Sequence, residues 1–86
     1  MSFKLEFSEE ALSQLKKLDN QTAGRILEKI SSSAEDPAHF FERLAGRDEY
    51  KLRVGDYRVI ARILQNDKSI LVMSVGHRKN IYKKQG

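Results

Sequence analysis

The chain has 86 residues, a formal net charge of +4, one proline and no cysteine. That length predicts one domain over residues 1–86, near the lower limit of what folds without staples; the lack of cysteine excludes a disulfide framework, thiol chemistry and a cysteine-based zinc site. No apolar run approaches the roughly 18 residues of a membrane helix, and Met1-Ser2-Phe3-Lys4 does not open as a secretory leader, so the expectation is a cytoplasmic protein that needs no membrane; no metal or cofactor is expected either.

Charge is unevenly placed. Residues 1 to 43 carry six Lys/Arg against eight Asp/Glu, and residues 44 to 86 carry ten against four. The positive field belongs to the second half, which points to a polyanionic partner such as nucleic acid, or to an acidic protein segment.

Phe3-Lys4-Leu5-Glu6-Phe7 alternates apolar and charged residues and reads as a short strand with Phe3, Leu5 and Phe7 facing a core. Ser8 is a good N-cap, Glu9 and Glu10 complement a helix dipole, and Ala11, Leu12, Leu15 and Leu18 follow at helical spacing. Asp19-Asn20 breaks that pattern, and Ala23, Ile26, Leu27 and Ile30 resume it in a second helix from about Gln21 to Ser33. The short break predicts an antiparallel helical hairpin. Gly24 either permits close helix packing or is merely tolerated. Pro37 disfavours a helical Asp36 and ends the second helix.

Phe40, Phe41 and Leu44 form an apolar cluster, read as a helical turn or extended segment against the core. His39 beside it reads as a packing or surface histidine. Arg43 and Arg47 flank Leu44, as ordinary surface charge or as a phosphate-binding rim.

Two alternating runs, Tyr50 to Val54 and Tyr57 to Ile63, enclose Gly55-Asp56, a two-residue loop suited to a tight hairpin with Gly first. Such a loop fixes the register: Val54 opposite Tyr57, Arg53 opposite Arg58, Lys51 opposite Ile60. Two arginines directly across an antiparallel pair repel. Either they splay apart on a solvated face, or an anionic ligand relieves them.

After the polar turn Gln65 to Lys68, residues Ser69 to Val75 are apolar on both faces, as in a central strand. Ser74 and Gly76 share a side. If that side carries Arg53 and Arg58, the sheet presents a shallow basic groove, but so long a turn leaves the parity open. His77-Arg78-Lys79 closes the strand, and Asn80 to Lys84 reads as a short terminal helical turn or tail. His77 titrates near neutral pH and is an acid or base candidate, Arg78 a strand-end cation, and Tyr82 either a stacking or hydrogen-bonding residue or one packed on the sheet.

The order strand, helix, helix, three-stranded meander, together with YKLRVGDYRVIARI and SVGHRKNIY, resembles the RelE/ParE toxin superfamily, and its RelE-like branch in particular, over essentially the whole chain. The resemblance implies an α+β fold of the RelE-like microbial RNase type, with its helices on one face of an antiparallel meander. It implies a type II toxin that enters the ribosomal A site and cleaves mRNA, held inactive by a cognate RelB-like antitoxin. Carried over by position, it makes Arg58 and Arg78 transition-state stabilisers, Lys51 and Arg53 phosphate-binding or proton-handling residues, and Tyr82 a residue that positions the substrate. Arg47, His77 and Lys79 join Arg53 as RNA-binding candidates. The resemblance implies a cut by attack of the RNA 2′-hydroxyl on the adjacent phosphate, without a metal. Arginine cannot be deprotonated and so is not the base; Lys51 and His77 remain the candidates. Where some relatives carry a second lysine two residues before Lys51, this chain has Glu49. The alternatives are a ParE-like inhibitor of DNA gyrase without enzymatic activity, and a plain nucleic-acid-binding module or inactive toxin relic.

Overall fold

The computed structural model describes residues 2–44 and 49–77. Strand β1 (Lys4–Phe7) alternates as its sequence does, with Leu5 and Phe7 packed on the core, and Ser8 ends it. The Ser8 amide donates to the Val72 carbonyl at 2.9 Å. Its hydroxyl oxygen accepts from the Ala11 amide at 3.0 Å, and the hydroxyl donates to the Met73 carbonyl at 2.8 Å. One residue therefore stops the strand, caps helix α1 (Glu9–Lys16) and ties that helix to the sheet.

Helix α2 (Asn20–Ser33) begins one residue before the expected Gln21 and ends where the sequence predicts. Asp19 precedes it in extended conformation, and the Thr22 hydroxyl, with the nearby amides of the first turn, holds the Asp19 carboxyl below its ordinary value. A Cβ added to Gly24 would meet nothing within 4 Å. No close packing requires that glycine, so of the two readings it is the tolerated one.

The apolar cluster that follows is both things the sequence allows. Pro37 opens a single turn, α3 (Pro37–Phe40), and Phe41 is buried in extended conformation before a two-residue strand, β2 (Glu42–Arg43). Its pairing adds an edge that the sequence pattern does not reveal.

The sheet is completed by β3 (Glu49–Val54), β4 (Tyr57–Leu64) and β5 (Ser69–His77), in the order β1-β5-β4-β3-β2. β1 runs parallel to β5, and the other pairs are antiparallel. Gly55 has a φ of 60°, as the first position of a tight hairpin turn demands, and the predicted register holds at Val54/Tyr57, Arg53/Arg58 and Lys51/Ile60.

The core lies between helices and sheet. Ala11 and Leu15 of α1 and Ile26 and Ile30 of α2 pack against Leu52, Val59, Ala61, Ile70, Val72 and Val75. Helix α1 rests on β5 and α2 alongside β3. The architecture is α+β with the two longer helices on one sheet face, which leaves the other face to Lys51, Arg53, Arg58 and Arg62. Among the described residues no helix is long and apolar enough to cross a membrane. The expected terminal turn over 80–84 lies outside the described residues.

Candidate active site

The position of the last strand's side chains is set by one irregularity. Val72 pairs with Ala61, the ladder then skips Met73, and Ser74, Val75 and Gly76 pair with Ile60, Val59 and Arg58. An extra residue in one strand reverses the alternation beyond it. Val75 therefore turns into the core, where it is 2% exposed, and Ser74 and Gly76 fall on the Arg58 side. The bulge is supported from α1: the Ser8 hydroxyl takes the Met73 carbonyl, and the Val75 amide donates to Gln14 Oε1 at 2.5 Å.

Arg58 sits mid-sheet with Arg53 across it on β3 and Gly76 across it on β5. It is only 5% exposed and is engaged within the fold. A guanidinium never loses its proton in proteins, so a permanent charge is held nearly dry there. Arg53 is exposed, as expected of the outer member of such a pair. Lys51 occupies the same face two residues away, and its Nζ lies 3.8 Å from Glu42 Oε1 on the facing residue of β2. Arg62 faces Glu49. Opposite charges across the ladder thus offset part of the repulsion that Arg53 and Arg58 create.

Both carboxylates escaped the sequence reading as members of this face. Glu49 had a signal, because alternation run back from Lys51 puts it on the same side. Glu42 had none, since two residues are too few to show a period.

His77 does not join this group. It lies opposite Tyr57, with ring centroids 5.6 Å apart and planes at 76°, on the helix-side face. The physical reason is again the bulge, which gives the Arg58 side to Gly76 and the other side to its neighbour. The structure thus brings Lys51, Arg53 and Arg58 together and separates His77 from them. Arg47, Arg78, Lys79 and Tyr82 lie outside the described residues. His39 is exposed, its ring edge-on to Phe40 at 5.0 Å, in keeping with a surface or packing role.

One buried and one exposed guanidinium, with an ammonium beside them and a glycine opposite, make a cationic face. Guanidinium forks match phosphate oxygens in pairs. Charges fixed in a poorly hydrated place also stabilise a developing dianion better than mobile ones in water. Among the described residues no group of His, Asp and Glu converges in a way that would hold a metal ion.

A sequence profile of ParE toxins, from the parDE type II toxin–antitoxin system, matches residues 5–82. The chain belongs to the RelE/ParE superfamily of toxins. This toxin is 30% identical over 88 residues to the RelE1 protein of Methanocaldococcus jannaschii, covering 96% of this chain and 98% of that one. It is 28% identical over 82 residues to the mRNA interferase toxin RelE of Escherichia coli, covering 92% of this chain and 86% of the relative. The E. coli toxin solved in its intact RelBE toxin–antitoxin complex superposes with a TM-score of 0.75 at 28% identity, over 88% of this chain and 96% of that one. The relatives place this toxin with the RelE-like members of toxin–antitoxin systems.

Proposed function

We propose that this toxin is a ribosome-dependent endoribonuclease that cuts mRNA in the ribosomal A site and is silenced by a cognate RelB-like antitoxin. The observation that carries the reading is Arg58: a nearly dry guanidinium in the middle of the sheet, facing Arg53 and Gly76 on the face that also holds Lys51. The naming of an E. coli relative as an mRNA interferase supports it.

In the proposed reaction the 2′-oxygen bonds to phosphorus as the bond from phosphorus to the 5′-oxygen breaks. The products are a 2′,3′-cyclic phosphate and a 5′-hydroxyl. Arg58 and Arg78 balance the charge gathered on the phosphoryl oxygens, and Arg53 seats the phosphate. Lys51 takes the proton of the 2′-hydroxyl, since His77 lies on the other face, and water supplies the proton that turns the departing 5′-oxygen into a hydroxyl. Tyr82 positions the adjacent base. Arg78 and Tyr82 enter this set through the resemblance alone.

Primer extension on mRNA bound to ribosomes tests the reading. Arg58→Ala should cut about a hundred to a thousand times more slowly, the loss typical of a fixed donor to a developing oxyanion, while a retained melting transition shows that the variant folds. Undiminished cleavage in both Arg58→Ala and Arg78→Ala would sink the assignment. A second reading, a gyrase inhibitor without enzymatic activity, is favoured by one observation: the matching profile is that of ParE toxins. Inhibited DNA supercoiling with mRNA left intact would establish it instead.

A further inference from the structure

A second gathering of cations lies at the rim of the sheet, where α2 passes the β3–β4 turn. An open cleft of about 390 Å³ there is lined by Arg25, Lys29 and Ser32 from α2 and by Arg53 and Gly55 from the hairpin, with Glu28 the one acid among the described residues of its lining. Arg25, Glu28, Lys29 and Ser32 recur at three- and four-residue steps and so share one side of the helix. The Arg25 guanidinium is laid across the turn, with Nη2 3.7 Å from where a Cβ on Gly55 would stand. The Lys29 ammonium stands over the Phe40 ring, 5.4 Å from its centroid.

Three features say what such a cleft would hold. Arg25 and Lys29 are like charges four residues apart on a helix, a spacing that destabilises by roughly 0.2–0.5 kcal/mol and that an anion would relieve, as at Arg53 and Arg58. Among the described residues the lining has no aromatic anchor of the kind that carries a protein–protein contact, but it does offer a guanidinium, an ammonium and a hydroxyl, the usual partners of phosphate oxygens. Arg53 belongs both to this cleft and to the Lys51/Arg58 face, so the two cationic surfaces are continuous.

We propose that this cleft is a second phosphate seat, which grips the RNA backbone on the stretch adjoining the one held at Arg58 and takes no part in bond breaking. The proposal rests on the endoribonuclease reading for the class of ligand. It adds that the toxin holds RNA at two places joined by Arg53, and that strand direction across the sheet is set by the outer one.

The test is the salt dependence of binding to a 2′-O-methylated 12-nucleotide RNA, which cannot be cut, and in a second arm to ribosomes without mRNA. Each phosphate contact to a single strand contributes about 0.7 to the slope of log K against log salt. Arg25→Gln combined with Lys29→Gln should therefore shallow the slope by about 1.4 and weaken binding on the order of tenfold at low salt. Lys16→Gln combined with Lys17→Gln, on the exposed side of α1 and with the same change in net charge, should leave the slope as it is. Loss in the oligonucleotide arm makes the bound strand the ligand, as proposed, and loss in the ribosome arm alone overturns the adjoining-strand seat in favour of ribosomal RNA. The proposal is overturned if neither arm changes, if both double variants lose equally, or if RNA binding holds while binding of an acidic antitoxin peptide is lost. If the parent protein leaves ribosome-bound mRNA uncut while the slope still falls in the Arg25/Lys29 variant, the endoribonuclease reading fails and the seat stands.

Discussion

Gln14 does for β5 what a neighbouring strand would otherwise do. The ladder between β1 and β5 stops at Phe7 opposite Val72, so among the described residues the amides of β5 beyond that point have no strand partner on that side. The Val75 amide finds Gln14 Oε1 at 2.5 Å, and Gln14 Nε2 donates in turn to Glu10 Oε2 at 3.2 Å. A part-buried amide left without an acceptor costs about 1–3 kcal/mol. Gln14→Leu should therefore lower stability by about that amount in a urea titration, whereas Gln14→Glu keeps an acceptor and should lose only the exposed hydrogen bond to Glu10 and the few tenths of a kcal/mol of like-charge repulsion from it. Equal losses in the two variants would mean that packing, and not the acceptor, is what Gln14 supplies. The same contact holds the segment that sets Gly76 across from Arg58, so this one side chain joins the stability of the strand to the shape of the site.

Among the elements, α2 carries a defect that the fold does not use. Gly24 is exposed, in the helix interior, and a Cβ there would touch nothing within 4 Å. Gly24→Ala should raise stability by about 0.5–1 kcal/mol, through lower chain entropy in the unfolded state and better helix propensity, seen as a higher urea midpoint at unchanged slope. What could be read of the elements from sequence follows from what constrains them locally. The β3–β4 hairpin was legible down to its pairs because a two-residue loop with glycine first leaves one register open. The two helices were legible through helical spacing, which the Ser8 cap reinforces in α1 and the Pro37 stop bounds in α2. β5 was legible as a strand but not in its parity, since the four-residue turn before it fixes no register and the bulge at Met73 has no side-chain signature. That one residue moves Gly76 to the arginine face and His77 away from it. β2, and with it Glu42 beside Lys51, was hidden because pairing with β3, not local preference, makes those two residues a strand.

Across the whole molecule the sheet divides two demands between its faces. The helix side holds most of the buried apolar residues that stabilise the fold, and the other side gathers Lys51, Arg53, Arg58 and Arg62 against Glu42 and Glu49, around the buried Ile60. Natural proteins break local rules at functional sites and offset the loss elsewhere. Here the broken rule is the arginine pair, and the offset comes from the core beneath it. Removing the outer member should then separate the two demands. Arg53→Gln removes a like charge facing Arg58 while keeping a polar, exposed side chain of similar length. Relief of a cross-strand repulsion is worth about 0.2–1 kcal/mol, so the variant should be slightly more stable than the parent in urea. Primer extension on ribosome-bound mRNA should show it cutting more slowly, because the phosphate loses a guanidinium fork. A less stable variant would show that Arg53 serves the fold, and a more stable variant of unchanged activity would return the pair to ordinary surface charge. Stability gained together with activity lost is the outcome that a functional arginine pair requires.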